Sequence, residues 1–190
     1  MANYSYIPVD EEKMTRLWRS FIAGDEDAFS EIYEAFFKIL YRYGYHFAAD
    51  HSLVKDAIQE LFTDLWRLRS NLSDTTSVKF YLFRSLRRRL HTLAGGEDVY
   101  QALPLSENDL RGLQTDSREQ YLIDKETEEI HLKQLGEGIN KLTTRQREAL
   151  RLKYYEGFTL SEAASIMNMN EQSVRNLIQR AIISLRSLLS

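Results

Sequence analysis

The sequence predicts an all-α protein, with two helical domains joined by a flexible acidic linker. Only 2 prolines and 8 glycines occur among 190 residues, so few positions interrupt a helix. Apolar residues recur at three- and four-residue spacing through most of the chain, which is the helical period. The stretch 95–117 breaks this pattern, because it carries glycines, a proline and several acids. We expect one domain at residues 10–94, the linker at 95–117 and a second domain at 118–190.

The composition narrows the classes of function. There is no cysteine, which excludes a disulfide framework and a thiolate metal site. The 4 histidines are scattered, and no pair has metal-ligand spacing, so no metal or other cofactor is expected. No charged segment followed by an apolar core opens the chain, and no stretch approaches the roughly 18 apolar residues of a membrane span. We therefore expect a cytoplasmic protein.

Four helices are predicted in the first domain, at residues 10–23, 26–47, 52–70 and 78–93. Gly24 ends the first helix and Asp25 caps the second. Gly44 is predicted to interrupt the second helix near its end. The third helix has an apolar stripe that we expect to be buried. Its members are Val54, Ala57, Ile58, Leu61, Phe62, Leu65 and Leu68. In the fourth helix, Phe83, Leu86, Leu90 and Leu93 are expected to point one way.

Trp66 lies beside the apolar stripe of the third helix rather than in its centre. A half-exposed tryptophan among polar residues is typical of an anchor for a protein partner. Composition alone equally allows that Trp66 only covers the edge of the core.

Positive charge is concentrated in two parts of a chain whose net charge is −3. Residues 67–94 contain 7 basic residues and 1 acidic residue, and residues 140–190 contain 8 and 4, whereas residues 95–130 contain 3 and 10. Within the fourth helix, Lys79, Arg84, Arg87, Arg88 and Arg89 surround Tyr81. Cations interleaved with aromatic rings favour contact with phosphates and unstacked bases, although a solvated basic face is the simpler interpretation.

The end of the chain contains unusually clear helix starts and stops. Thr159 and Glu162 have the spacing of a capping box, as do Thr143 and Gln146 one helix earlier. Gly157 can end that earlier helix in a left-handed conformation. Asn168 fits the tight turn that follows the next helix, and Asn170 fits the cap of the last one. A short capped helix, a tight turn and a longer helix predict that the C-terminal domain is a helix-turn-helix.

The last helix has two faces. Val174, Leu177, Ile178, Ala181, Ile182 and Leu185 form an apolar stripe, while Gln172, Arg175, Asn176 and Gln179 share another face. Arginine and the amide side chains bond bidentately to guanine and adenine in the major groove. They lie in the first turns, where a recognition helix touches bases. We therefore predict a DNA-reading helix.

Taken in order, four stretches give the chain a resemblance to bacterial RNA polymerase sigma factors of the extracytoplasmic-function (ECF) type. They are Gly24-Asp-Glu-Asp-Ala-Phe with Ile32-Tyr33, residues 56–67, residues 78–88 and residues 142–181. The resemblance implies a promoter-specificity subunit that directs core RNA polymerase and initiates transcription. It implies core RNA polymerase and promoter DNA as partners, with an anti-sigma factor as a further one, and no small-molecule substrate.

The resemblance also assigns residues to sites. Binding to the polymerase clamp helices is implied for Asp56, Gln59, Glu60, Thr63, Trp66 and Arg67. Contact with the melted minus-ten element is implied for Lys79, Tyr81, Arg84, Arg87 and Arg88, together with the loop at 71–77. Contact with the minus-thirty-five element is implied for Gln172, Ser173, Arg175, Asn176, Gln179 and Arg180. Arg88 stands where the family usually has asparagine, and Tyr81 where it usually has tryptophan.

Two other classes of function were weighed. A free-standing helix-turn-helix regulator would need a dimerisation element, and the sequence shows no coiled-coil heptads and no sensor domain. An enzyme would need clustered carboxylates, a metal set or a nucleophile beside a base, whereas the acids here are dispersed along helix faces. We therefore do not expect an enzyme.

Overall fold

A computed structural model describes residues 10–94, 136 and 138–189 of the chain. Every regular element in these ranges is helical, which confirms the all-α prediction. The chain divides into two compact units. The linker predicted at 95–117 and the start of the second domain lie outside the described residues, so the exact domain limits stay a prediction.

The described part of the first unit, residues 10–94, contains four α-helices and one short 3₁₀ turn. They are α1 (Glu11–Ile22), α2 (Glu26–Ala48), α3 (His51–Leu68), the 3₁₀ turn Arg69–Asn71 and α4 (Val78–Leu93). The predicted bounds of all four helices agree to within two residues. α2 packs against each of the other three helices, and α3 packs along α4.

The core of this unit is aromatic and close-packed. Trp18, Phe21, Phe36, Tyr43 and Phe83 are each at most 1% exposed. The Tyr43 and Phe83 rings join α2 to α4 with 4.8 Å between centroids. The aromatic density of α2 therefore serves packing, as large rings bury more apolar area than any other side chain.

Side-chain caps begin each of these helices. Asp25 accepts from the backbone N–H groups of Asp27 and Ala28, as predicted. Asp10, Asp50 and Ser77 cap α1, α3 and α4 in the same way. Each cap satisfies backbone donors that have no partner within the helix.

Two expectations for these helices were wrong. Gly44 does not interrupt α2, because the helix continues to Ala48 and buries Gly44 against Val54. A Cβ at Gly44 would lie 2.8 Å from Val54 Cγ1, so glycine here permits close helix packing rather than a break. Leu68, predicted to be buried, is 43% exposed since it lies in the last turn of α3.

The second unit contains α5 (Thr144–Leu150), a π-helical turn (Arg151–Tyr155), α6 (Leu160–Met167) and α7 (Glu171–Leu189). Both predicted capping boxes are present, with Thr143 and Gln146 at α5 and Thr159 and Glu162 at α6. Gly157 has φ of +75°, the left-handed conformation expected of it.

The π-helical turn was not predicted. It follows α5 directly and contains Arg151, which lies 3.8 Å from Glu156 in a side-chain ion pair that is almost wholly buried. The Arg151 guanidinium also lies over the Tyr155 ring at 4.8 Å. A single π turn, with i→i+5 hydrogen bonds, is too short to change the apolar pattern of the helix that it follows, so spacing does not predict it.

No helix among the described residues is long and apolar enough to cross a membrane. Nor do those residues contain a group of three histidine or acidic side chains placed to hold a metal ion.

Candidate nucleic-acid and polymerase interfaces

The turn between α6 and α7 fixes where the last helix begins. Asn168 has φ of +52°, and the N–H of Met169 bonds to Ala164 O at 2.9 Å. Asn170 Oδ1 then accepts from the N–H of Ser173 at 2.7 Å, which caps α7. These contacts confirm the predicted turn and cap. They fix the point at which α7 begins after α6, and in a helix-turn-helix this second helix is the one that reads DNA.

α7 is anchored by its apolar stripe. Val174, Ile178 and Ala181 are at most 7% exposed, while Leu177 and Ile182 are half-buried. The contacts of the stripe are with α5 and α6. Because one side of α7 is held this way, its polar side is presented to solvent.

The predicted minus-thirty-five residues lie together on that polar side. Gln172, Arg175, Asn176, Gln179 and Arg180 are exposed, and Ser173 is half-buried. Gln172 Nε2 donates to Asn176 Oδ1 at 3.0 Å. Arg175 Nη2 lies 3.0 Å from Glu171 Oε1 in an exposed ion pair one helical turn apart. Both contacts pre-orient side chains that could exchange them for base edges.

α4 does not present all of its predicted DNA-contacting residues. Lys79 and Arg87 are 7% and 6% exposed, and their charged ends lie over the rings of Phe83 and Phe47 at 5.6 and 5.5 Å. Long cationic side chains bury their stems in this way and gain a cation–π contact. Arg84 and Arg88 are exposed.

Tyr81 is half-buried, with its ring 5.1 Å from that of Trp18 in α1. The predicted minus-ten set therefore divides into two exposed arginines, one half-buried tyrosine and two covered cations.

Arg89, the remaining cation of α4, joins that helix to α3. It forms an ion pair with Asp64, and its Nη1 lies 3.6 Å from Glu60 Oε2. Asp64 also pairs with Arg67 at 2.6 Å. The hydrogen bond from Arg89 is the main cause that lowers the pKa of Asp64, with smaller effects from the charges of Arg89 and Arg67. The sequence does not predict this pairing, because spacing along one helix carries no information about the neighbouring helix.

The predicted polymerase-binding residues form one strip along α3. Asp56, Gln59, Glu60, Thr63 and Arg67 are exposed, and Trp66 is half-buried. The strip borders a shallow depression of about 350 Å³. It is lined by Asp56, Gln59, Glu60, Thr63, Asp64 and Arg89. The strip is weakly acidic, because Asp56 and Glu60 outnumber Arg67, while Asp64 beside it already pairs with Arg67 and Arg89. A weakly acidic surface suits a partner that presents basic side chains.

Trp66 has contacts that support both interpretations left open by the sequence. Its ring packs 5.2 Å from Phe29 and 6.3 Å from Phe21, which covers the core edge. The Arg69 guanidinium lies 4.3 Å from the ring centroid. Because the indole is only partly covered, some of it remains available to a partner.

Comparison with known proteins assigns the two units to one family. Residues 32–95 match the family model of sigma-70 region 2, and residues 132–185 match that of sigma-70 region 4. Together these matches cover more than half of the chain. This chain belongs to the sigma-70 family, as an ECF-type member. It is a promoter-specificity subunit of RNA polymerase, and the free-standing regulator is not favoured because region 2 accompanies region 4.

Curated relatives agree along nearly the whole chain. The ECF RNA polymerase sigma factor BldN of Streptomyces coelicolor is 24% identical over 187 residues, which are 95% of this chain and 67% of BldN. The ECF sigma factor SigM of Bacillus subtilis is 26% identical over 159 residues, or 83% of this chain and 93% of SigM.

Solved structures agree on the fold. CnrH, in its complex with the cytosolic domain of CnrY, matches with a TM-score of 0.60 and 20% identity, covering 93% of this chain and 97% of CnrH. The sigma factor RpoE, in complex with the anti-sigma factor NepR from Bartonella quintana, matches with a TM-score of 0.55 and 19% identity. That match covers 85% of this chain and 96% of RpoE.

Proposed function

We propose that this sigma factor divides promoter recognition between the exposed faces of α4 and α7, and binds core polymerase through the strip on α3. The observation that carries the proposal is that α4 and α7 belong to different compact units and each exposes arginines beside polar side chains. Two readers on separate units suit a promoter whose two elements are separated along the DNA.

The minus-thirty-five element is read by the exposed face of α7. The residues proposed to contact it are Gln172, Ser173, Arg175, Asn176, Gln179 and Arg180. Arg175 and the Gln172–Asn176 pair lie nearest the capped start of the helix, so they are assigned to base edges. Arg180 lies further along the exposed side and is assigned to a phosphate.

The minus-ten element is contacted by Arg84, Arg88 and the loop before α4. Burial favours a packing role for Lys79 and Arg87, and Tyr81 contributes through its contact with Trp18. If Arg84 binds a phosphate of the melted strand, the affinity of Arg84→Ala for DNA should fall less steeply with salt. The slope of log affinity against log salt should become less negative by about 0.7.

Core polymerase binds the α3 strip of Asp56, Gln59, Glu60, Thr63, Trp66 and Arg67. The acidic character of the strip, with the half-covered indole at one end, favours a basic helical partner such as the clamp helices. Polymerase then holds both DNA readers at one separation. Two weak DNA contacts held in this way act through effective concentration, which accounts for DNA binding by a chain of net charge −3.

An anti-sigma factor is proposed as a further partner, since the related structure of RpoE holds the anti-sigma factor NepR and that of CnrH holds the cytosolic domain of CnrY. The chain is proposed to work in the cytoplasm, beside polymerase and DNA, and to have no catalytic activity of its own.

Run-off transcription with purified core polymerase and a promoter library tests the assignments. Wild-type protein should add specific starts, and Asp56→Ala should weaken both those starts and co-purification with core. Glu34→Ala is the matched control, because Glu34 is an exposed acid on a different helix, α2. Equal loss with both variants would overturn the α3 assignment. No added starts with the wild-type protein would overturn the proposed function.

A further inference from the structure

The loop between α3 and α4, residues 72–77, is held by α1. Trp18 Nε1 donates to Ser73 O at 3.1 Å, and Arg19 Nε donates to Asp74 Oδ2 at 2.7 Å. Both contacts join residues that are 55 positions apart in the chain. α1 therefore reaches the middle of a loop that would otherwise be fixed only at its ends.

The end of the loop is held by the same helix. Ser77 Oγ donates to Glu11 Oε1 at 3.4 Å while it accepts from the N–H of Phe80 at 3.2 Å, which starts α4. Glu11, Trp18 and Arg19 are spaced seven and eight residues apart, so they lie on one face of α1. We call the hydrogen bonds of these three residues to the loop the α1–loop contacts.

Asp74 has a second role inside the loop. Its Oδ1 accepts from the N–H of Thr75 at 3.0 Å, while Oδ2 receives Arg19. Thr75 Oγ1 in turn lies within hydrogen-bonding distance of the Ser77 backbone. With these groups engaged, the side chains of Ser73 and Thr76 are left exposed. Because Asp74 lies between Ser73 and Thr76 in the chain, its contacts with Arg19 and Thr75 help to orient these two exposed side chains.

We propose that Arg19 of α1 is a positioning residue that sets the base preference of the minus-ten loop without touching DNA. The inference rests on the proposed function, in that the loop must meet the melted strand. What it adds is a determinant in α1, a helix assigned to neither DNA nor polymerase.

The solvent exposure of the Arg19–Asp74 pair distinguishes a role in positioning the loop from a role in folding stability. The side chains of Arg19 and Asp74 are 64% and 52% exposed, and an exposed ion pair contributes little to folding stability. Removal of the Arg19 guanidinium should thus leave the fold intact while it frees the Asp74 side chain, and the bond from Trp18 to Ser73 O should remain. Selectivity should change where stability does not.

Two measurements on the full chain test the proposal. Hydrogen–deuterium exchange of the free protein reports on the loop amides, and run-off transcription from a library randomised in the minus-ten element reports on base preference. The variants are Arg19→Ala, Arg19→Lys, Asp74→Ala and the Arg19→Ala/Asp74→Ala double variant. Arg16→Ala is the matched control, because Arg16 is an exposed arginine of α1 that lines the same surface depression as Arg19 and Thr76 but forms no hydrogen bond with the described loop residues.

Arg19→Ala should accelerate loop exchange and lower minus-ten selectivity about two- to fivefold, the range that an exposed ion pair allows. Thermal stability and minus-thirty-five preference should be unchanged in Arg19→Ala. Arg19→Lys should keep part of the wild-type loop protection and minus-ten selectivity. The double variant should behave like Asp74→Ala alone.

Loop exchange and base preference equal to those of Arg16→Ala would overturn the proposal. If wild-type protein gives no specific starts, the proposed function fails. Hydrogen–deuterium exchange then still tests whether Arg19 holds the loop. Loop exchange in Arg19→Ala that equals the wild-type rate would overturn that part of the proposal.

Discussion

Arg175→Ala is expected to weaken minus-thirty-five recognition more than any other single substitution on α7. The guanidinium is exposed and lies in the second turn of the helix, 3.0 Å from Glu171. A bidentate contact to guanine discriminates by about 1–3 kcal/mol. Arg175 must give up its ion pair with Glu171 to bind DNA, and this loss costs about 0.3–0.5 kcal/mol, the value of an exposed pair at this spacing. The net loss is therefore about 0.5–2.7 kcal/mol, or about two- to a hundredfold in start efficiency.

The assay is run-off transcription by reconstituted holoenzyme on a library randomised at the minus-thirty-five element. Arg186→Ala is the matched control, since Arg186 is an exposed arginine on the same helix about 16 Å further along its axis. Glu171→Gln provides a change of opposite sign. It removes the ion pair that competes with DNA, and should raise start efficiency about twofold.

The base-reading argument would be refuted if Arg175→Ala kept the wild-type base profile and lost no more activity than Arg186→Ala. A loss that was equal at every library sequence would instead assign Arg175 to a phosphate, because phosphate contacts carry no sequence information.

Three further predictions concern the scaffold. Gly44→Ala should lower the free energy of unfolding by about 0–2 kcal/mol in urea titrations, because overpacking against Val54 exceeds the gain in helix propensity, and a more stable variant would contradict this. Glu162→Ala removes half of the α6 capping box and should destabilise the second unit by about 1 kcal/mol, weakening minus-thirty-five use but not co-purification with core. The lowered pKa of Asp64 means that its pair with Arg89 stabilises the fold above about pH 3.9 and loses that effect as the pH falls through the folded-state pKa. Urea titrations across that range should show the loss in wild-type protein and a smaller one in Asp64→Asn.

Helix periodicity and capping chemistry were sufficient to predict most of the fold. Each of the four helices in the first unit has a local start signal, and the turn at Asn168 follows from the small number of residues that tolerate left-handed backbone. Gly44 shows the limit of such reasoning. Its effect on α2 depends on Val54 in another helix, and local propensity does not include that neighbour.

The candidate sites were predicted less completely, for the same reason. The α7 face could be assigned because a single helix carries it and its opposite face is plainly apolar. The Asp64–Arg89 ion pair joins α3 to α4, and the α1–loop contacts join α1 to a loop, so each depends on two elements that are distant in the sequence. No spacing rule within one helix finds Arg19 and Asp74, which are 55 residues apart.

The basic helix α4 shows why a count of charges overstates a DNA-binding surface. Five cations lie between Lys79 and Arg89, yet two lie over aromatic rings and Arg89 pairs with acids on α3. A cation already paired or desolvated must give up that contact before it neutralises a phosphate, so it adds little to affinity. Arg84 and Arg88 are the cations of α4 that remain exposed. Two exposed arginines should make a weak contact by themselves, so under the proposed function we expect tight and selective binding to need the second reader on α7.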